Sequence, residues 1–327
     1  MRVLVTGSAG HLGEALVRTL PQVGHDPIGL DIKTSDFTHH VGSIVDRAFV
    51  RRCVRGIYAV LHAATLHKPH LATHSRQDFV DTNVTGTLNL LEESRLAGVR
   101  AFVLTSTTSA FGNALVPAID APAAWITEDV VAVPRNIYGV TKIAAEDLCE
   151  LFHRSFALPC LILRTSRFFP EPDDRQEIRE AYSDLNAKVN EVLYRRVDIE
   201  DVVNAHLLAL NHAGTIGFAR YIISATTPFT REDLVELRTN APAVVARRVP
   251  GFEDVYSARG WSMFPGIDRV YVNERARREL GWQPRYDFGR ILECIEANEP
   301  AGSPLAQAVG SKGYHAVSFA DGPYPVE

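Results

Sequence analysis

The stretch Arg2-Val3-Leu4-Val5-Thr6-Gly7-Ser8-Ala9-Gly10-His11-Leu12-Gly13 decides the fold. Its opening is a short apolar, β-branched run, the pattern of a buried strand. Glycine then recurs at every third position, and a helical pattern over residues 12–20 begins inside the glycine run. Strand, glycine turn and helix in that order make a phosphate cradle. Glycine permits the tight turn and lets the backbone approach a pyrophosphate, whose charge sits at the positive end of the helix. Gly7, Gly10 and Gly13 are therefore read as dinucleotide-binding residues. Asp31 closes the next strand, Asp26–Asp31, eighteen positions past Gly13. A carboxylate there accepts hydrogen bonds from ribose hydroxyls and repels a 2′-phosphate, which points to NAD over NADP.

Outward from this turn the chain keeps alternating. Strand-like runs at Ala59–His62, 101–105 and 159–164 are separated by helical patterns at 46–54, 78–97 and Ile137–Phe156. In 78–97 the residues Phe79, Val80, Val84, Leu88, Leu91 and Leu96 recur near helical spacing. Strands that alternate with helices imply crossover units. The expected fold class is α/β, a doubly wound parallel (Rossmann-type) sheet that binds ligands at the carboxyl ends of its strands. A dinucleotide-binding domain is expected over residues 1–165, with 195–225 returning to it. A smaller C-terminal substrate domain and tail are expected over 166–327. Here the readings are a polar helix at 175–193, a helix at 199–210, a strand at 220–224 and a helix at Glu274–Leu280 that stops at Gly281. The tail from residue 300 reads as extended.

Composition narrows the class further. The 327 residues are 46% hydrophobic and 22% charged, which excludes intrinsic disorder for the bulk of the chain. The net charge of −5 leaves no basic footprint for nucleic acid or an anionic membrane. No apolar run reaches the ~18 residues of a membrane span, and the N-terminus lacks a signal-peptide plan. Cys53, Cys149, Cys160 and Cys294 are scattered and form no CxxC pair. They read as reduced core residues of a cytoplasmic protein.

Two further runs carry chemistry. Tyr138 and Lys142 stand four apart on a helical pattern and so share one face. A nearby ammonium favours the phenolate, which makes Tyr138 a usable general base near neutrality. Lys142 is also placed to hold the nicotinamide ribose. Thr105-Ser106-Thr107-Thr108-Ser109 follows the fifth strand and crowds hydroxyls at its carboxyl end, where they polarise a substrate oxygen beside the Tyr.

Together these residues resemble the extended short-chain dehydrogenase/reductase family, in its NAD-dependent epimerase/dehydratase branch. Gly7-x-x-Gly10-x-x-Gly13 resembles the family's cofactor turn, His62-Ala63-Ala64 the segment after its fourth strand, and Asn83-Val84-Thr85-Gly86 its helix asparagine. Thr107, Tyr138 and Lys142 align with its catalytic residues. Leu280-Gly281-Trp282-Gln283-Pro284 resembles its C-terminal motif. The resemblance implies bound NAD contacted by His11, Leu12, Ser43, Ile44, Ala63, Ala64, Asn83 and Thr105. It also implies a carbohydrate substrate touched by Thr107 and Thr108, and a homodimer built on the helices near 78–97 and 138–156.

The departures concern the substrate. Gly42-Ser43 stands where the family usually has Gly-Asp, which alters the adenine contact. Thr108-Ser109 replace the Asp-Glu of the dehydratases, against elimination of water. The loop from Arg167 to Asp198 is short and lacks the usual Gly-rich grip on uridine diphosphate. Pro170-Glu171-Pro172-Asp173 resembles the equivalent loop of uronate dehydrogenases, with Arg167 then pairing with a carboxylate or phosphate. The leading expectation is an NAD-dependent sugar epimerase working through a transient keto intermediate. The alternatives are a dehydrogenase of free sugars or sugar acids and, from another class, an NAD-sensing binding protein without turnover. His67, His70 and His74 have spacings that suggest a metal, but Pro69 interrupts the helix this needs, and no metal is expected. Asp198, Glu200 and Asp201 read as helix-capping carboxylates.

Overall fold

The structure is a computed structural model that describes residues 1–313, 315 and 319. Among the described residues there are nine strands: β1 Arg2–Thr6, β2 Asp26–Asp31, β3 His40–Val41, β4 Ala59–His62, β5 Ala101–Thr107, β6 Ala124–Ile126, β7 Cys160–Thr165, β8 Phe218–Ile223 and β9 Arg269–Tyr271. Seven of them make one parallel sheet in the order β3-β2-β1-β4-β5-β7-β8. The chain leaves β1 toward β2 on one side and returns to β4 on the other. Such a switch point opens a crevice at the carboxyl ends of the strands.

Because both faces are covered, the central strands carry runs of successive apolar residues, Val3–Val5, Ala59–Leu61, Ala101–Leu104 and Cys160–Leu163, rather than an alternating pattern. Val3, Val5, Leu61, Val103 and Leu161 face one way, onto helices His11–Thr19 and Ile199–Ile216. Leu4, Val60, Phe102, Leu104 and Ile162 face the other way, onto Arg47–Cys53, Gly86–Ala97 and Ile137–Phe156. The four cysteines are free and buried. Among the described residues no helix is long and apolar enough to cross a membrane.

A second core gathers Val189, Leu193, Leu237, Val244, Phe252, Tyr256, Phe264, Phe288 and Ile291. The two cores are not successive along the chain. Helix Ile199–Ile216 and β8 complete the large sheet, and Ala276, Leu280 and Trp282 return to its core. Trp282 is fully buried and its indole N–H donates to the Asp201 carbonyl at 3.0 Å. In the opposite direction, β6 leaves the first half of the chain to pair with β9.

Three expectations need correction. The helix read over 78–97 is three segments, Arg76–Phe79, a π-helical stretch Val80–Thr85 and Gly86–Ala97. The helix read over 175–193 breaks at Tyr182-Ser183 into Gln176–Ala181 and Asp184–Val192, and the Ser183 hydroxyl caps the second piece. The tail is not extended throughout, since Pro304–Val309 is a helix capped by Ser303 and packed on His11–Thr19. Ser and Pro at those positions are helix-start chemistry.

Candidate active site

A cleft of about 840 Å³ runs along the carboxyl ends of the strands. One end is the glycine turn. Gly7 takes φ +76°, and a Cβ there would lie 2.8 Å from the Ala64 amide nitrogen. At Gly13 a Cβ would lie 1.9 Å from the Gly7 carbonyl oxygen, so the turn tolerates no side chain. The resulting bare backbone lines the cleft with Gly10, His11 and Leu12. Asp31 stands beside it. Its Oδ2 accepts from the Ala9 amide at 3.0 Å and its Oδ1 from the Lys33 amide at 2.9 Å. Each oxygen keeps a further lone pair for a ribose hydroxyl. Ser43, Ile44, Ala63 and Ala64 line the same end. A bare cradle, a helix N-terminus and a carboxylate at the β2 end fit a dinucleotide.

Asn83 is not on the cleft wall. It is 2% exposed. Its Oδ1 accepts from the Leu66 amide at 2.8 Å and the Thr65 hydroxyl at 2.9 Å, and its Nδ2 donates to Leu66 O and Thr141 Oγ1. It ties the wall loop after β4 to the helix that carries Tyr138. It sits in the π-helical stretch Val80–Thr85, a local widening of the helix that is frequent at functional sites. His62 is buried between Thr6 Oγ1 at 2.7 Å and Thr87 Oγ1 at 3.0 Å, and burial followed by the Lys142 charge pushes it down to about 3. Thr87 gives its proton to the Asn83 carbonyl, so Nε2 carries the His62 proton and Nδ1 accepts from Thr6.

At the middle of the cleft Tyr138 and Thr107 meet. Asn136 caps the helix that carries Tyr138, accepting from the Gly139 amide at 3.1 Å. The phenol is hydrogen-bonded to the Thr107 hydroxyl, which also accepts from the Ser109 amide at 3.0 Å. Both residues line the cleft, together with Thr105 and Thr108. Lys142 lies behind them at 3% exposure, its ammonium donating to the Thr105 carbonyl at 2.7 Å. The expectation that this ammonium brings the phenol toward neutrality is not met. Burial pushes Tyr138 up to about 12 and only Thr107 opposes it. Lys142 is itself pushed down to about 8 by burial, against Glu146.

Glu146 escaped the sequence reading. It is fully buried, accepts from Ser106 Oγ at 2.5 Å and is bracketed by Arg164 Nη2 at 2.8 Å and Arg220 Nε at 3.0 Å. The signal was present, since Tyr138, Lys142 and Glu146 repeat at four-residue spacing on one helix.

The substrate end differs from the expectation for Arg167. Its guanidinium reaches the cleft, but Nη1 donates to Asp173 Oδ2 at 2.7 Å and Glu191 Oε1 at 3.3 Å. Arg195 and Arg196 converge on the same Glu191, at 2.5 and 2.8 Å. Against burial, which pushes it up, Arg195, Arg196 and Arg167 hold Glu191 well below the carboxylate range. Arg195 and Arg269 also line the cleft. His67 and His70 pack ring to ring at 4.7 Å, and burial pushes His67 well down and His70 to about 4. Among the described residues no group of His, Cys, Asp or Glu is placed to hold a metal ion. Asp198 caps helix Ile199–Ile216, and Asp201 accepts the Arg285 and Tyr286 amides.

A parallel sheet with this turn and a Tyr/Lys helix defines an NAD-dependent enzyme of the extended short-chain dehydrogenase/reductase class. The NAD dependent epimerase/dehydratase family model matches residues 3–219, and the chain belongs to that family. It is similar to the UDP-glucose 4-epimerases of Erwinia amylovora (30% identity, 88% of this chain and 99% of that protein) and Streptomyces lividans (26%, 90% and 95%). A short-chain dehydrogenase/reductase superfamily protein of Agrobacterium tumefaciens, solved with bound NAD, shares the fold. It has a TM-score of 0.65 at 26% identity, over 94% of this chain and 99% of that one.

Proposed function

We propose that the protein is an NAD-dependent sugar epimerase that inverts a hydroxyl-bearing carbon through a transient ketone. The observation that carries the reading is the buried Tyr138–Thr107 pair in the cleft that begins at the glycine turn. NAD, when bound, supplies the acceptor that takes the substrate hydride and gives it back. Thr107 orients the substrate oxygen, and Tyr138 holds the proton that leaves it and returns it. Lys142 acts from behind, fixing the β5 end through the Thr105 carbonyl. Thr105 is fixed a second time by its hydroxyl, which donates to His206 Nε2 at 2.8 Å while His206 Nδ1 donates to Val202 O. Burial keeps the proton on the phenol, so its ionisation needs a positive charge beside it, which the oxidised nicotinamide would supply when NAD is bound. The reading includes a homodimer through helices Gly86–Ala97 and Ile137–Phe156, which sedimentation measures directly.

A second reading, oxidation of a sugar acid with release of NADH, is favoured by Arg195 and Arg269 on the cleft wall. Purified protein is incubated with NAD and a panel of nucleotide sugars, free sugars and sugar acids. The epimerase reading predicts an epimeric product by NMR at constant NADH absorbance. Stoichiometric NADH formed from a sugar acid, with no epimer, overturns it. Tyr138→Phe lowers turnover by about 10²–10⁴-fold and leaves NAD affinity within about twofold. An NAD sensor without turnover would show no active substrate in the panel.

A further inference from the structure

Glu146 does not line the cleft, yet three strands of the large sheet send a side chain to it. Ser106 of β5 donates its hydroxyl to Oε1 at 2.5 Å. Arg164 of β7 donates Nη2 to Oε2 at 2.8 Å, and Arg220 of β8 donates Nε to the same oxygen at 3.0 Å. Ser106 and Arg164 are direct partners in the β5–β7 register, so the two side chains rise side by side from one face of the sheet. The carboxylate is fully buried and stands on the helix that carries Tyr138 and Lys142. Stability does not require such a group, since apolar residues of similar volume commonly replace a buried ion pair without loss.

The strand it grips supplies a different reason. Thr105, Ser106 and Thr107 are successive residues, and all three are held from the helix Ile137–Phe156. The Lys142 ammonium donates to the Thr105 carbonyl at 2.7 Å, Glu146 takes the Ser106 hydroxyl, and the Tyr138 phenol is hydrogen-bonded to Thr107. Positions 138, 142 and 146 are spaced one helical turn apart and share a face. Helix and strand are thereby locked in register beside the two hydroxyls that the proposed reaction uses. Glu146 reaches the same segment by a second route. Burial favours loss of the Lys142 proton, and the Glu146 charge opposes that loss. An ammonium is a stronger donor to a carbonyl than a neutral amine. The other titratable groups facing Lys142 are His62 from β4, which burial keeps neutral, and Cys149 from its own helix. Those facing Glu146 from the sheet are Arg164 and Arg220, and Arg220 is shared with Asp147 and Glu150.

We propose that Glu146 is a positioning residue for the reacting hydroxyls, acting on the Thr105–Thr107 segment directly through Ser106 and indirectly through Lys142. The placement of Thr107 rests on the Tyr138–Thr107 reading of the reaction, whereas the effect on Lys142 stands without it.

Three variants are compared with the wild type. Glu146→Gln keeps an acceptor for Ser106 and removes the charge, Glu146→Asp keeps the charge, and Ser106→Ala removes the hydroxyl alone. The chain has five lysines. With these isotopically labelled at Cε, and Lys142→Met to assign the signal, NMR follows the Lys142 titration in the absence of cofactor and substrate. Glu146→Gln raises the acid dissociation constant of Lys142 about tenfold, while Glu146→Asp and Ser106→Ala leave it within about twofold. With NAD and UDP-glucose as the probe substrate, Glu146→Gln and Ser106→Ala each lower kcat about tenfold and leave KM within about twofold. Urea unfolding reports folding. An unmoved Lys142 titration in Glu146→Gln overturns the proposal, and so does a wild-type kcat in Ser106→Ala. Absence of wild-type turnover of UDP-glucose counts against the epimerase reading alone, and the Lys142 titration then decides. Should Glu146→Gln fail to fold, Glu146→Gln/Arg164→Met, which removes both charges of the buried pair, takes its place in the titration.

Discussion

The two ends of the cleft are built on different physics. At the cofactor end the geometry is steric. Gly7 and Gly13 sit where any Cβ would meet backbone at 2.8 or 1.9 Å, and Asp31 is placed by its own strand. At the substrate end the geometry is electrostatic. Three arginines, Arg167, Arg195 and Arg196, are held on Glu191, with Asp173 shared by two of them. A steric site is specified by residues adjacent in sequence. An ion-pair cage is specified by residues that only folding brings together.

The comparison can be broken first at Glu191. Glu191→Gln removes one charge from beneath three guanidinium groups in a buried setting, and breaking such a pair costs about 3–5 kcal/mol. The expected outcome is a large fall in the urea midpoint with NAD affinity of the folded protein held within about twofold. An equal loss of NAD affinity would show that the two ends are one unit. At the opposite end, Gly13→Ala forces the turn apart. NAD affinity is expected to fall about 100-fold, or about 2.7 kcal/mol, by calorimetry. The variant leaves Arg167 and its partners in place.

The smallest effect sharpens the comparison where the ends meet, at Lys142. Its ordinary value of 10.5 is pushed down to about 8 in the fold by burial. Between these values the unfolded chain holds a proton that the folded chain has released. Stability therefore rises with pH in that window. From pH 7.5 to 9.5 the NAD-free wild type should gain about 2 kcal/mol relative to Lys142→Met, measured by urea unfolding at both values. A flat difference would mean that Lys142 keeps its proton as readily folded as unfolded.

Legibility followed the same division. β1, β2 and β4 read correctly because buried parallel strands are short, apolar and bounded by turns. The glycine turn and the Tyr138–Lys142 spacing read directly, being local. Three features did not. β3 and β6 are two and three residues long, too short to carry a period. The break at Tyr182-Ser183 was hidden by helix-forming residues on both sides, although Ser183 followed by Asp184 is a cap signal. The environment of Tyr138 was the deepest loss. Residue type and spacing brought Lys142 to the same helix face, but only the fold shows its ammonium directed to the Thr105 carbonyl and the phenol pushed up by burial.

The crossing of the chain between its two cores has a consequence for how the molecule comes apart. β6 is contributed by the first half of the sequence and pairs with β9 from the second, while Trp282 is seated against Asp201 in the large sheet's core. No single cut of the polypeptide separates one core from the other. A protease nick in the loop after β7 should leave both fragments associated through a gel-filtration column in native buffer. They should part only in denaturant, and in one cooperative step.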